Sequence, residues 1–262
     1  LDQPQDQDGN SAGSTAISAD SKSIIYTPAE NFNGIATFGY AVIDGNGGFD
    51  APVMVAVTVN PVNDPPDFTG ADTGAVTEDD ADTLTANGTL IVTDPDTGES
   101  SVLPETKTGL YNSILTIEDS GNWSYMGDSS HVDIQALGVG DTLTDTFTVE
   151  SFDGTGHNIV ITINGTNDGP LAVGDTGFET DEDTEITITD AQVLANDYDP
   201  DSSDTLTVIG VDPSSPPVGG TVVYSSNIFT FTPDADFNGP AQFSYLIEDG
   251  SGEQSSATVS IT

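Results

Sequence analysis

Apolar residues in this chain come in short runs on alternate positions, and this period-two pattern limits the fold more than any other feature. Ile35-Ala36-Thr37-Phe38-Gly39-Tyr40, Leu143 to Val149, Ile228-Phe229-Thr230-Phe231 and Ala241 to Tyr245 all show it. Thr, Val, Ile, Phe and Tyr fill these runs, side chains that pack well on a pleated surface. Gly, Asn, Asp and Pro punctuate them at roughly the 8–12-residue spacing of sandwich strands. The expectation is an all-β chain of tandem β-sandwich domains set in a rod. Helical periodicity is confined to Val132–Leu137 and Ala191–Ala195, each about one turn long. No stretch approaches the ~20 apolar residues of a membrane span, so membrane insertion is not expected.

Internal repeats set the domain plan. Thr27-Pro28-Ala29-Glu30-Asn31-Phe32-Asn33-Gly34 recurs 205 residues later as Thr232-Pro233-Asp234-Ala235-Asp236-Phe237-Asn238-Gly239. The match runs on through Phe38 and Phe243, Tyr40 and Tyr245, and Asp44-Gly45 and Asp249-Gly250. A second echo, Val62-Asn63-Asp64-Pro65-Pro66 and Thr166-Asn167-Asp168-Gly169-Pro170, marks short stiff linkers. The expected units are residues 1–62, 63–166 and 167–262. The first is too short to close a sandwich and reads as the later part of one. The opening Leu1-Asp2-Gln3-Pro4-Gln5-Asp6 lacks a signal-peptide pattern, and the chain reads as a mature or excised piece of a longer protein. Sequons at Asn87, Asn122 and Asn164 read as turn residues.

Charge narrows the function. The chain carries 44 acidic residues against Lys22 and Lys107, for a net charge of −42, with no arginine and no cysteine. Two lysines cannot neutralise a nucleic-acid backbone or an anionic membrane surface. Thiolate metal sites, disulfides and cysteine nucleophiles are excluded outright. Only 11 of the acids are Glu. An excess of Asp places the charge in turns and loops, where short carboxylates bond nearby backbone or a metal. Acid this dense repels itself unless counter-cations neutralise it.

The middle unit resembles the VCBS-type repeat of large bacterial surface proteins and RTX adhesins. Val76-Thr77-Glu78-Asp79, Gly88 to Asp96, Gly121-Asn122-Trp123-Ser124-Tyr125, Leu143 to Val149, Asp153-Gly154-Thr155-Gly156 and Asn164 to Asp168 carry the resemblance. The third unit resembles bacterial cadherin-like repeats through Asp181-Glu182-Asp183-Thr184, Val193 to Asp201, Thr232-Pro233, Phe237-Asn238-Gly239 and Asp249-Gly250. The first unit keeps the later half of that pattern, from Tyr26 onward, while Gln3 to Ala19 departs from it. The resemblance implies Ig-like or cadherin-like sandwiches, an extracellular or bacterial cell-surface setting, calcium dependence, and a stalk or adhesive role of the kind found in biofilms.

The residues point to calcium independently. Ca2+ takes six to eight oxygens from carboxylates, carbonyls and amides on loops able to wrap it. Asp-x-Asp spacing turns alternate carboxylates to one side, as in Asp94-Pro95-Asp96 and Asp197-Tyr198-Asp199-Pro200-Asp201. One cluster is expected at each junction. The first gathers Asn63 and Asp64 with Glu78, Asp79, Asp94, Asp96 and the Asp44 loop. The second gathers Asn167 and Asp168 with Glu182, Asp183, Asp197, Asp199, Asp201 and the Asp153 loop. Asp249 is expected at the far end of the last unit. These are not EF-hands, because Ser202 stands where the loop Gly belongs and Val208 where its Glu belongs. They are not RTX nonapeptides, because Gly47-Gly48-Phe49-Asp50 breaks that pattern. A halophile surface ranks second as a source of the acid.

Paired carboxylates also suit glycoside hydrolysis, but chance pairs abound among so many acids. His131 reads as a loop residue and His157 as an exposed hairpin residue, and no catalytic constellation emerges, so an enzyme is not expected. Trp123 and Tyr125 are expected to place one ring in the core and the other in solvent. Phe32 and Phe237, each before Asn-Gly, read as core plugs. The leading reading is a calcium-stiffened extracellular rod whose partners are its own neighbouring repeats. Two alternatives stay open: a polysaccharide- or cell-binding module using sandwich loops or the aromatic strand face, and a filament or surface-layer subunit that self-assembles by strand complementation.

Overall fold

A computed structural model describes residues 1–48 and 50–262. Phe49, in the run set apart from RTX nonapeptides, lies outside them. The chain is almost entirely β, with nineteen strands and one helical turn among the described residues.

The first unit has two hairpins. β1 (Gly13–Ile17) pairs with β2 (Ile24–Pro28), and β3 (Gly34–Tyr40) pairs with β4 (Val53–Val59), all antiparallel. The middle unit runs β5 (Asp67–Gly70), β6 (Thr73–Thr77), β7 (Thr83–Thr93), β8 (Glu105–Thr108), β9 (Ile114–Ile117), β10 (Asn122–Asp128), β11 (Thr142–Glu150) and β12 (Gly156–Asn164). One sheet has the order β5-β7-β10-β9-β8 and the other β11-β12-β6. The third unit runs β13 (Asp175–Phe178), β14 (Ile186–Thr189), α1 (Asp190–Val193), β15 (Thr207–Val211), β16 (Gly220–Ser225), β17 (Ile228–Pro233), β18 (Ala241–Glu248) and β19 (Gln254–Ile261). Its sheets are β13-β19-β18-β15 and β14-β17-β16.

Alternation explains each core. Along β11 every second residue, Asp145, Phe147 and Val149, is buried while the threonines between them face out. The middle core joins Leu84, Leu90, Leu115, Ile117, Trp123 and Tyr125 of one sheet to Phe147, Ile159, Ile161 and Ile163 of the other. The third core joins Ile188, Phe229 and Phe231 to Phe243, Tyr245, Ile247 and Val259. These are sandwiches, two sheets sharing one apolar layer.

Several expectations are corrected. Trp123 and Tyr125 are both buried, at 2% and 0% exposure. Residues two apart on a strand share a face, so neither ring offers a sugar platform. The Trp123 indole N–H donates to the Ala71 carbonyl at 2.7 Å. His157 is half-buried within β12, stacked on Phe68 at 4.5 Å, with Nε2 3.2 Å from an Asp72 carboxylate oxygen. The sequon asparagines lie on strands: Asn87 within β7, Asn122 opening β10 and Asn164 closing β12. Residues 132–136 form turns, whereas the second helical stretch falls partly within α1.

Strand direction governs where the loops go. In the middle unit β6 runs parallel to β12, with Thr77 opposite Asn164. In the third, β13 runs parallel to β19, with Phe178 opposite Ile261. The strands of each parallel pair, β6 with β12 and β13 with β19, therefore leave their sandwich at the same end. The loop that opens each last strand lies at the other end, beside the incoming linker.

Candidate metal centres

Two sets of oxygens with one plan form where linkers meet sandwiches. In the second, the Asn167 amide donates to Asp249 Oδ2 at 3.0 Å, and the Asp168 N–H donates to Asp201 Oδ2 at 2.9 Å. Asp201 N–H donates to Asp199 Oδ1 at 2.9 Å. Carboxylate oxygens of Asp199, Asp201 and Asp204 lie within 4.8 Å of one another. In the first set, Asn63 donates to Asp153 Oδ2 at 3.3 Å, Asp64 N–H to Asp96 Oδ2 at 2.8 Å, and Asp96 N–H to Asp94 Oδ1 at 2.7 Å. Asp94, Asp96 and Glu99 gather as Asp199, Asp201 and Asp204 do.

The preceding unit adds to the second set. Glu78, fully buried, follows β6 and accepts the Thr166 N–H on Oε1 at 2.7 Å. Ser202 donates to the Ala136 carbonyl through both N–H and hydroxyl, and the Ser203 hydroxyl donates to Asp141 at 2.9 Å. Among the described residues no hydrogen bond joins residues 1–62 to the first set.

The second set is under electrostatic stress. Burial pushes the Glu78 carboxyl up to about 7, with the charges of Asp168, Asp79 and Asp201 adding to it. Burial, then Asp79 and Asp201, raises Asp168 to about 6. Asp199 and Asp201 are raised by burial as well. Asp249 is pushed up by burial, but the Asn167 amide and three backbone N–H groups outweigh this and hold it below the usual carboxylate range. In the first set the Ser151 hydroxyl leads the interactions that hold Asp153 at about 2. Glu99 is raised by burial and by Asp96 and Asp94.

Buried oxygens in the second set also lack partners: Glu78 Oε2, Asn167 Oδ1, Asp168 Oδ2, Asp199 Oδ2, Asp201 Oδ1 and Asp204 Oδ2. Buried polar atoms in folded proteins are nearly always satisfied. Carboxylates turned toward each other without a basic group are the donor set of a hard cation, so these residues fit Ca2+.

Placement differs from the expectation at several residues. Glu78 and Asp79 stand at the second junction, because β6 carries them to the outgoing end of the middle unit. Glu182 and Asp183 occupy the same place one unit later, exposed at the far end of the third unit, where Asp183 accepts the Asp236 N–H. Asp79 and Asp183 share a left-handed backbone, φ 62° and 56°. Asp153 lies at the first junction and Asp249 at the second, since both sit on loops that open a last strand. Asp44 sits on the corresponding loop of the first unit and accepts the N–H groups of Asn46 and Gly48. β4 separates it from the linker. Asp197 turns inward, where both its oxygens accept the Tyr245 hydroxyl at 3.0 Å and Oδ1 accepts the Val173 N–H at 2.6 Å.

Glu99, Asp204 and Asp249 join the clusters although the spacing argument left them out. A signal was available: Asp94 to Glu99 and Asp199 to Asp204 share one spacing, and Asp153-Gly154 matches Asp249-Gly250.

Two family models match parts of the chain. The family model of a cadherin-like domain matches residues 166–262. That of a bacterial Ig domain matches residues 2–59, so the first unit matches a bacterial Ig pattern where a cadherin-like one was expected. Among solved structures, human CDH23 EC21-23 is 15% identical over 97% of this chain and 85% of that one, with a TM-score of 0.47. Protocadherin Gamma C5 EC1-3 is 11% identical over 99% and 88%, with a TM-score of 0.48. PcdhgB3 EC1-4 is 13% identical over 95% of this chain, which spans 63% of that one, with a TM-score of 0.43. No curated protein matches the chain. No helix among the described residues is long and apolar enough to cross a membrane.

Proposed function

We propose that the chain is a calcium-stiffened, non-catalytic stalk or adhesion region of an extracellular bacterial surface protein, with the middle unit a VCBS-type repeat. One observation carries the reading: six buried oxygens without partners belong to residues of the middle unit, the linker and the third unit at the second junction, and carboxylate oxygens of three of those residues lie within 4.8 Å of one another. A cation there ties the two units together, so binding energy becomes interdomain stiffness.

Glu78, Asn167, Asp168, Asp199, Asp201 and Asp204 would hold the ion. Ca2+ would supply positive charge to carboxylates that otherwise repel. The protein's own part is orientation: Asp168 N–H and Asp201 N–H fix the Asp201 and Asp199 carboxylates, and Thr166 N–H fixes Glu78. At the first junction Asn63, Asp64, Asp94, Asp96, Glu99 and Asp153 form a set without hydrogen-bonded help from residues 1–62.

Calcium titration by calorimetry, with melting followed in EDTA and in millimolar Ca2+, tests the reading. Calcium at a hundred times its Kd stabilises by about 2.7 kcal/mol per site, on the order of 10 °C in melting temperature for a unit of this size. Unchanged melting would refute it.

A further inference from the structure

We infer that the third unit holds a cation site of its own inside the sandwich. Asp175, Asp197, Tyr245 and the carbonyls of Val173 and Val193 build it, and one Ca2+ is the ion it would take. The site goes beyond the junction reading and does not depend on it.

Strand register brings the parts together. Asp175 on β13 pairs with Val259 on β19, and Val259 pairs with Phe243 on β18. Tyr245 lies two residues along from Phe243, so Asp175 and Tyr245 face the core from neighbouring rows. The Tyr245 hydroxyl is 3.0 Å from both oxygens of Asp197 and 3.2 Å from the carbonyls of Val173 and Val193. A phenol has one proton to give, so it can serve only one of these four acceptors fully. The loop that brings Asp197 here is tied to the chain before β13. The Val173 N–H donates to Asp197 Oδ1 at 2.6 Å, and the Asn196 amide donates to the Val173 carbonyl at 3.1 Å.

Asp175 supplies a separate sign of a ligand. It is 8% exposed, and its Oδ2 has no hydrogen-bond partner. No basic side chain is at hand, because no Lys, Arg or His follows His157 in the sequence. Burial pushes the Asp175 carboxyl up only to about 6, so at neutral pH it is still charged, with Asp197 adding to the repulsion. A buried charge without a counter-charge is costly. Two carboxylates, two backbone carbonyls and a phenol oxygen form the hard-oxygen set that Ca2+ takes. Asp197 is half-buried and Val173 is 37% exposed, which leaves an approach from solvent.

The middle unit shows that the sandwich itself does not require these groups. Aligning Asp94 with Asp199 puts Val92 at the place of Asp197, and aligning Asp153 with Asp249 puts Val149 at the place of Tyr245. Both valines are buried in the middle core. Asp72, which opens the Asp-Thr-Gly run matching Asp175-Thr176-Gly177, meets His157 instead, at 3.2 Å. Apolar packing fills in one unit the place where the other buries two carboxylates and a phenol.

The test counts Ca2+ on the whole chain by native mass spectrometry at fixed free Ca2+. Asp175→Leu is close in size and offers no oxygen, and it should carry one ion fewer than the parent. Asp175→Asn keeps an amide oxygen, and it should bind that ion about tenfold more weakly or lose it. Melting in EDTA, where Asp175→Asn should be the more stable protein, shows that this variant folds. In saturating Ca2+ its advantage over the parent should shrink or reverse. Glu78→Gln reports on the junction alone and should leave the Asp175-dependent ion in place, so the two readings fail separately. An unchanged ion count in Asp175→Leu, or an Asp175→Asn advantage equal in Ca2+ and in EDTA, overturns the proposal.

Discussion

Asp175 is the residue whose replacement should most clearly stabilise the third unit. It is buried at 8% exposure, and one of its oxygens, Oδ2, has no partner. Burial pushes its carboxyl from the ordinary 3.8 up to about 6; the Tyr245 hydroxyl opposes the rise and the Asp197 charge adds to it. Between those two values the folded unit binds a proton that the unfolded chain has lost. Stability from this group therefore falls as pH rises through the window and is fully lost above about 6. The gap corresponds to about 3 kcal/mol, an upper figure. Asp175→Asn removes the charge while keeping the size and shape of the side chain. It should raise the melting temperature of the third unit at pH 7.5 by on the order of 10 °C, and hardly change it near pH 4. Differential scanning calorimetry in EDTA reads the effect without the junction cations. A variant that melts no higher than the parent at pH 7.5, or that gains as much at pH 4, would refute the argument from burial.

Two shorter predictions test the core and the second junction. Gly88→Ala should destabilise the middle unit by about 1–3 kcal/mol, because the new methyl would meet the Trp123 ring at 2.5 Å; Trp123 fluorescence in a urea titration reads the loss. Glu78→Gln should weaken calcium at the second junction by about tenfold, the scale of losing one charge-assisted ligand, while binding at the first is unchanged, as separate calorimetric phases would show.

Much of the fold was legible from short-range pattern. Alternation located the strands because burial on one face has period two, and the 205-residue repeat aligned the first unit with the third. Asn-Asp linkers and Asp-x-Asp loops do lie together, with Asp64 N–H on Asp96 and Asp168 N–H on Asp201. Which end of a sandwich a loop occupies was not legible, because it depends on how many strands have passed and which pair is parallel. The β6–β12 pairing, made of residues about 87 apart, moved Glu78 and Asp79 from one junction to the other. Asp197 shows a different limit. It has the spacing of Asp199 and Asp201, but a buried phenol, that of Tyr245, 48 residues away, claims its carboxylate. Trp123 and Tyr125 lie two residues apart on one strand, so strand parity alone puts both rings on one face.

The parallel pairing of β6 with β12, and of β13 with β19, has a mechanical consequence. Tension along the chain reaches β6, after β5, or β13 from its start and leaves from the end of β12 or β19, at opposite ends. The two strands are pulled past each other, so their ladder bonds are loaded together in shear and not opened one by one. β6 and β12 stay in register over five residue pairs. β13 and β19 hold two pairs interrupted by a register shift. Under a steady pull the third unit has the weaker clasp and should yield before the middle one.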